Sequence, residues 1–234
     1  MSLRRSHNRC KRELIQHCLR VLGLGLGACR IIDFACGRGG DLNKLQGCRS
    51  YTGVDTACDA LTELKRRAAE IGMPVTVHAG DATTLPRSTC DVAICHFALH
   101  YFCDSEAHCD ALFSKIASCL VEGGVMCATY ERVPGDDWDM AWGVPYHAVI
   151  GDCVDAMEWR VPWRRVHRIA LKYGLAVVRN IPLRHMAADA GQNIWGFIAQ
   201  RAQGQCCGRK PTWLPKPDSH GCRQGAGQGP CPPS

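Results

Sequence analysis

The stretch that most restricts this chain is Ile31 to Lys44, IIDFACGRGGDLNK. Ile31, Ile32 and Phe34 read as the end of a buried strand, Ala35, Gly37, Gly39 and Gly40 as a small-residue turn, and the residues from Asp41 as the start of a helix. A strand that runs through glycines into a helix N-terminus lets a ligand approach bare backbone. The pattern D-x-A-x-G-x-G, with Asp55 closing the next apparent strand, occurs both in dinucleotide folds and in folds that hold S-adenosylmethionine. A ligand-free tight turn leaves Asp55 unexplained.

The flanking segments alternate between two periodicities. Residues 10 to 22 place Leu14, Ile15, Cys18, Leu19 and Leu22 on one helical stripe, and residues 60 to 71 do the same with Leu61, Leu64 and Ala68. Strands are expected over 51–55, 74–78, 91–95, 125–130, 175–181 and 193–200, and helices over 110–120 and 163–173; Gly123-Gly124 reads as a turn. This rhythm implies an α/β, Rossmann-like fold with a mostly parallel central sheet and helices on both faces. Residues 134 to 157, broken by glycine and proline, read as an irregular loop. One domain is expected over 1–202. The Gly/Pro/Cys-rich remainder, 203–234, lacks aliphatic residues and is expected to be a disordered tail.

Seventeen cysteines among 234 residues would suit a disulfide framework, but most sit inside apolar runs (Cys29, Cys36, Cys95, Cys119, Cys127), where a thiol acts as a small hydrophobe. A reducing compartment, nucleus or cytoplasm, is the expectation. Val21 to Cys29 is too short to span a bilayer, so no membrane partner is expected. The tail cysteines lack a C-x-x-C pair, so no metal is expected. The net charge of +6 modestly favours polyanions.

In a parallel sheet, ligands bind beyond the C-terminal strand ends. Asp33, Asp55 and Asp81 stand at three successive ends, and His96 to Tyr101 follow the fourth. A carboxylate at the second end can accept both hydroxyls of a ribose, and Asp81 can accept from an adenine amino group. Singly, each acid is a cap or turn former; four consecutive polar strand ends favour a ligand. Three acids with aromatic neighbours suit a sulfonium better than a second phosphate-bearing nucleotide. No G-x-x-x-x-G-K-[ST] occurs, against a P-loop enzyme.

The segment HFALHYFCDSEAHCDALFSKIASCLVEGGVM resembles the mRNA cap guanine-N7 methyltransferases, whose hallmark after the fourth strand is F-A-L-H-Y. ACGRGGDLNK is similar to that family's G-C-G-K-G-G-D-L-x-K turn, SHNRCKRELI to its N-terminal helix, and MEWRVPWRRVHRIALKYGL to its E-[FY]-x-V helix and K-Y-x-L strand. The resemblance spans about residues 6 to 200. It implies S-adenosylmethionine as cofactor, held by Lys11, Asp33, Ala35, Gly37, Asp55, Asp81, His96 and Tyr101. It also implies a cap site of Asn8, Arg38, Asp41, Lys44, Arg67, His100, Glu158 and Trp195, with Arg38, Lys44 and Arg67 meeting the triphosphate. Ala35 stands for a usual Gly, Arg38 for Lys, His96 for Gln and Trp195 for Tyr.

The implied partners are 5′-capped RNA and other capping enzymes. Methylation at N7 needs no proton removed beforehand, so no general base is expected, and His100, Tyr101 and Glu158 would act by positioning. Competing readings are a methyltransferase for another small molecule or base, and a catalytically silent RNA-binding subunit of the same fold. Arg160, Arg164, Arg165 and Arg168 suit a solvated face and an RNA-tracking surface equally, and Trp138, Trp142 and Trp159 suit packing.

Overall fold

The computed structural model describes residues 3–132, 139–150, 154–186 and 194–203. The expected tail and Trp138 therefore lie outside the described residues. One compact unit spans Met1–Gly204.

Among the described residues, nine strands and five α-helices follow in the order α1 (Leu3–Leu22), β1 (Arg30–Phe34), α2 (Leu42–Leu45), β2 (Ser50–Asp55), α3 (Cys58–Glu70), β3 (Thr76–Ala79), β4 (Cys90–His96), α4 (Glu106–Cys119), β5 (Leu120–Glu131), β6 (Pro145–Ile150), β7 (Val154–Trp159), α5 (Trp163–Lys172), β8 (Leu175–Pro182) and β9 (Ile194–Arg201). Seven strands form one sheet in the order β3-β2-β1-β4-β5-β9-β8. The first five run parallel, and β9 is antiparallel to both β5 and β8.

The period of two along the strands separates the faces. Ile32, Phe34, Ala93, Cys95, Met126 and Ala128 point into one apolar cluster, covered by α4 and α5 through Leu112, Phe113, Ile116, Val166 and Ile169. Ile31, Val92, Ile94, Val125 and Cys127 point the other way, under α1, α2 and α3 through Leu14, Cys18, Leu42, Leu61 and Leu64. The result is three layers, with the parallel strands buried on both faces as their apolar composition requires. Ten of the described cysteines are buried in these clusters.

Three expectations need correction. The first helix begins at Leu3, about three turns before Leu14 opens the apolar stripe. Gly123 (φ +76°) does not separate a helix from a strand; β5 runs through it with a register shift against Cys90 and Val92, so the break is absorbed as a bulge. The stretch expected as irregular, 134–157, contains most of a two-stranded antiparallel sheet, β6 paired with β7, in which Tyr146 lies directly opposite Glu158. Glycine and proline at its borders obscured two strands of only six residues each.

Candidate active site

The strand ends of β1, β2 and β4 and the loop after β3 open onto a cavity of about 590 Å³. All eight residues expected at the cofactor line it: Lys11, Asp33, Ala35, Gly37, Asp55, Asp81, His96 and Tyr101. The turn after β1 is shaped for this. Gly37 has φ +51°, and a Cβ there would meet nothing within 4 Å, so the backbone lies bare. Its N–H donates to Asp55 Oδ2 at 2.7 Å, and Asp55 Oδ1 accepts from Ala57 N at 2.9 Å. Asp55 is thereby fixed at the cavity wall with lone pairs remaining on both oxygens. Ala35 takes φ +57°, a left-handed conformation in which its Cβ is strained.

Asp81 is fixed similarly: Oδ1 accepts from Thr83 N at 2.7 Å and Thr83 Oγ1 at 2.5 Å. Burial works to raise its carboxyl, but the Thr83 hydrogen bonds and His108 outweigh burial and hold it below the ordinary value. His108 bridges Asp104 (2.9 Å) and Asp81 (3.5 Å) and also lines the cavity. His108, Phe97 and Phe102 are wall residues that the sequence reading missed. Phe97 carried a usable signal, since it lies inside the F-A-L-H-Y element; His108 sits one turn into α4, where nothing local distinguishes it.

Beneath the cavity lies a buried charge cluster. Asp41, 5% exposed, accepts from Lys11 Nζ (2.8 Å) and Lys44 Nζ (2.7 Å), and its Oδ2 meets His96 Nδ1 at 3.0 Å. Burial alone would raise the Asp41 carboxyl, but His96 and the two lysines hold it well below the ordinary range. His96 Nε2 meets Cys127 Sγ at 3.4 Å. Both ring nitrogens are thus engaged behind the wall. Asp33 is 2% exposed and accepts from Tyr51 Oη at 2.9 Å; burial, reinforced by Asp41, pushes it up to about 8.

The residues expected at the cap divide into separate places. Asn8, Lys44 and Arg67 border a second cavity of about 410 Å³, shared with Arg12 and Arg66, and Gly40 lines both cavities. Lys44 does not point outward as a phosphate contact would: its three donors go to Asn8 Oδ1 (2.8 Å), Gly40 O (2.8 Å) and Asp41 Oδ1 (2.7 Å). Asp41 likewise belongs to the floor of the first cavity. Arg67 is turned to Glu63 at 2.7 Å, and Arg38, two-thirds exposed, faces Asp59 at 3.4 Å. Trp195 is on β9 opposite Tyr130, with the Arg132 guanidinium 5.5 Å from its ring.

His100 and Glu158 come together beside Tyr101. Glu158, 4% exposed, accepts from Tyr146 Oη at 2.7 Å and meets Tyr101 Oη at 3.4 Å. His100 Nε2 stands 3.2 Å from Glu158 Oε1, but the ring is off line, and neither of its buried nitrogens completes a hydrogen bond. Burial would raise the Glu158 carboxyl, yet His100 and Tyr146 overcome burial and keep it below the ordinary glutamate value. Tyr101 is 43% exposed and packs edge-on against His100, with ring centroids 4.1 Å apart. It lines the large cavity and touches Glu158, so the two sites share a wall.

Of the remaining sequence candidates, Trp142 and Trp159 pack against the core as expected. Arg165 and Arg168 pair with Asp139, and Arg160 stacks over Tyr146. No group of three His, Cys, Asp or Glu side chains placed to hold a metal occurs among the described residues, and no helix among them is long and apolar enough to cross a membrane.

Residues 31–124 match the model of a methyltransferase domain. The chain carries the class I S-adenosylmethionine-dependent methyltransferase fold. A methyltransferase of this type from Clostridium acetobutylicum superposes with a TM-score of 0.65 at 13% identity, over 82% of this chain and 90% of that one. The magnesium protoporphyrin IX methyltransferase of Synechocystis, crystallised with bound S-adenosylmethionine, gives 0.59 at 15%, over 84% and 80%. In sequence, the mRNA cap guanine-N(7) methyltransferase 1 of Arabidopsis thaliana is 23% identical over 63% of this chain and 53% of its own length. Its namesake from Oryza sativa is 25% identical with the same coverage. The chain thus spans about half the length of these relatives.

S-adenosylmethionine is the cofactor of this methyltransferase fold, and the large cavity fits it. The cavity offers bare backbone at Gly37, a fixed carboxylate at each of Asp55 and Asp81, and aromatic walls at Phe97 and Tyr101, chemistry that suits close approach, hydroxyl or amino donors, and a cation.

Proposed function

We propose that this chain transfers the methyl group of S-adenosylmethionine to N7 of the guanine that caps messenger RNA. The observation that carries this reading is the shared wall: Tyr101 borders the cofactor cavity while its hydroxyl reaches the buried Glu158 carboxylate beside an unsatisfied His100. The distant likeness to plant cap methyltransferases supports it.

Asp55 would accept from the cofactor's ribose hydroxyls and Asp81 from its adenine amino group, while Phe97 and Tyr101 exclude water around the sulfonium. Bound there, S-adenosylmethionine supplies an electrophilic methyl carbon. Glu158, kept ionised by its neighbours, would accept from N1 and N2 of guanine, a pair of donors that adenine lacks. His100, buried with Nε2 beside Glu158 and Nδ1 without a hydrogen bond, would donate to the purine's acceptor edge. N7 already presents a lone pair, so the residues have only to hold acceptor, carbon and sulfur in line, and positioning supplies most of the acceleration. Lys44 and Asp41 brace the wall; Arg67, Arg12 and Arg66 along the second cavity are the groups left to meet phosphates.

The test is methyl transfer from radiolabelled S-adenosylmethionine to GpppA-ended RNA, beside free GTP, ApppA and uncapped RNA. Glu158→Gln should lower transfer to the capped RNA by roughly 100-fold or more, since two charge-assisted hydrogen bonds are weakened, while cofactor binding by calorimetry stays within about threefold. Equal loss of both, or transfer to ApppA at the same rate, refutes the reading.

A further inference from the structure

Tyr146 has one phenolic hydrogen and two carboxyl neighbours. Its oxygen lies 2.7 Å from Glu158 Oε2 and 3.3 Å from Glu131 Oε2. The three groups come from three adjacent segments: Glu131 ends β5, Tyr146 lies on β6, and Glu158 faces it across the ladder on β7. The short contact takes the hydrogen to Glu158. At the longer contact the phenol then offers only a lone pair, and an ionised Glu131 would set oxygen against oxygen beside a second carboxylate. A proton on Glu131 converts that repulsion into a hydrogen bond that Tyr146 accepts.

We propose that Glu131 is a positioning residue for purine recognition: a neutral carboxylic acid that donates to Tyr146 and so directs the phenol's own hydrogen onto Glu158. This rests on the cap-guanine reading for its purpose, though not for its chemistry. With Tyr146 satisfying Oε2, Glu158 presents a carboxylate whose remaining lone pairs are aimed at one partner. Should Glu131 ionise, it competes for the phenolic hydrogen and places a second negative charge by the guanine edge.

The groups facing Glu131 are Tyr146 and Glu158 from the hairpin, His100 from the turn after β4, and Arg160 just beyond β7. Burial is the largest influence and raises the Glu131 carboxyl above 4.5, with Glu158 adding to it against Tyr146, His100 and Arg160. The folded protein therefore keeps this proton over a range in which ordinary glutamates have lost theirs.

Infrared titration of the full chain tests the chemistry without any ligand. Above pH 4.5, where ordinary glutamates have ionised, the wild type should show a protonated-carboxyl component, beside that of Asp33, that Glu131→Gln lacks. Spectra that coincide over that range overturn the proposal. The affinity of GpppA, followed by tryptophan fluorescence in the same range, tests the purpose: it should fall several-fold as pH rises in the wild type, fall less in Tyr146→Phe, which keeps only the charge of Glu131, and stay flat in Glu131→Gln. Parallel slopes in all three proteins overturn the positioning role. A band that is present with no GpppA binding at any pH counts against the cap reading and upholds the proton on Glu131.

Discussion

Replacing Asp33 by Asn should stabilise this protein, and by an amount that grows with pH. Asp33 is 2% exposed, and its only protein donor is Tyr51 among the hydrogen bonds of the described residues. Its carboxyl ionises at about 8 in the folded chain against 3.8 when unrestrained. The sign follows from which state holds the proton. Below 3.8 both folded and unfolded chains are protonated and Asp33 is neutral to stability. Above 3.8 the unfolded chain ionises freely while the folded chain does not, so stability falls as pH rises, until the folded group ionises near 8. At about 1.36 kcal/mol per pH unit, the loss accumulated by pH 7 is roughly 4 kcal/mol. Asn removes that loss, and an amide N–H without an acceptor returns about 1–3 kcal/mol of it. The net gain should be roughly 1–3 kcal/mol at pH 7. Urea unfolding of both proteins at pH 5, 6, 7 and 8, with m unchanged, measures it. A difference that is constant across pH, or that shrinks as pH rises, refutes the account.

Lys44→Met should destabilise by about 3–5 kcal/mol, because it leaves Asp41 short of a buried partner and Asn8 unpaired; a loss of cap affinity at unchanged stability would instead restore Lys44 as a phosphate contact. Ala35→Gly should gain up to about 1 kcal/mol by thermal unfolding, since the turn already holds φ +57° and glycine adopts it without strain; destabilisation would refute that. Asp91→Asn should cost about 1–3 kcal/mol, because Asp91 accepts from Arg30 N, Nε and Nη2 at 2.8 to 3.0 Å. The Asp91 carboxyl is held below its ordinary value chiefly by Arg30, so its contribution is complete above 3.8 and is lost as pH falls below it; pH-independent destabilisation would contradict this.

What could be read from the chain beforehand divides by range. Asp33, Asp55 and Asp81 are legible because a strand end is a local event: a run of apolar residues stops, small residues follow, and the acid marks the rim. The three-layer sheet follows from the same alternation. Lys44 is not legible in this way. It carries the right charge at the right distance from the glycine turn, but its direction is decided by Asp41 and by Asn8, 36 residues earlier. Glu158 was found by resemblance, while its partner Tyr146 was not. Their pairing exists only across the β6–β7 ladder, whose six-residue strands lack the alternation that would announce them. Glu131 was overlooked for the same reason, as its meaning comes from a phenol fifteen residues away.

That small ladder has a consequence for how such a catalyst can diverge. Among the described residues no backbone pairing joins it to the seven-stranded sheet, and a lone pair of strands has little stability of its own. Its shape is therefore borrowed from whatever it leans on, and its residues are free to change without disturbing the floor beneath. Grafting a different β6–β7 onto this scaffold should alter which base is chosen while leaving the methyl donor's seat intact.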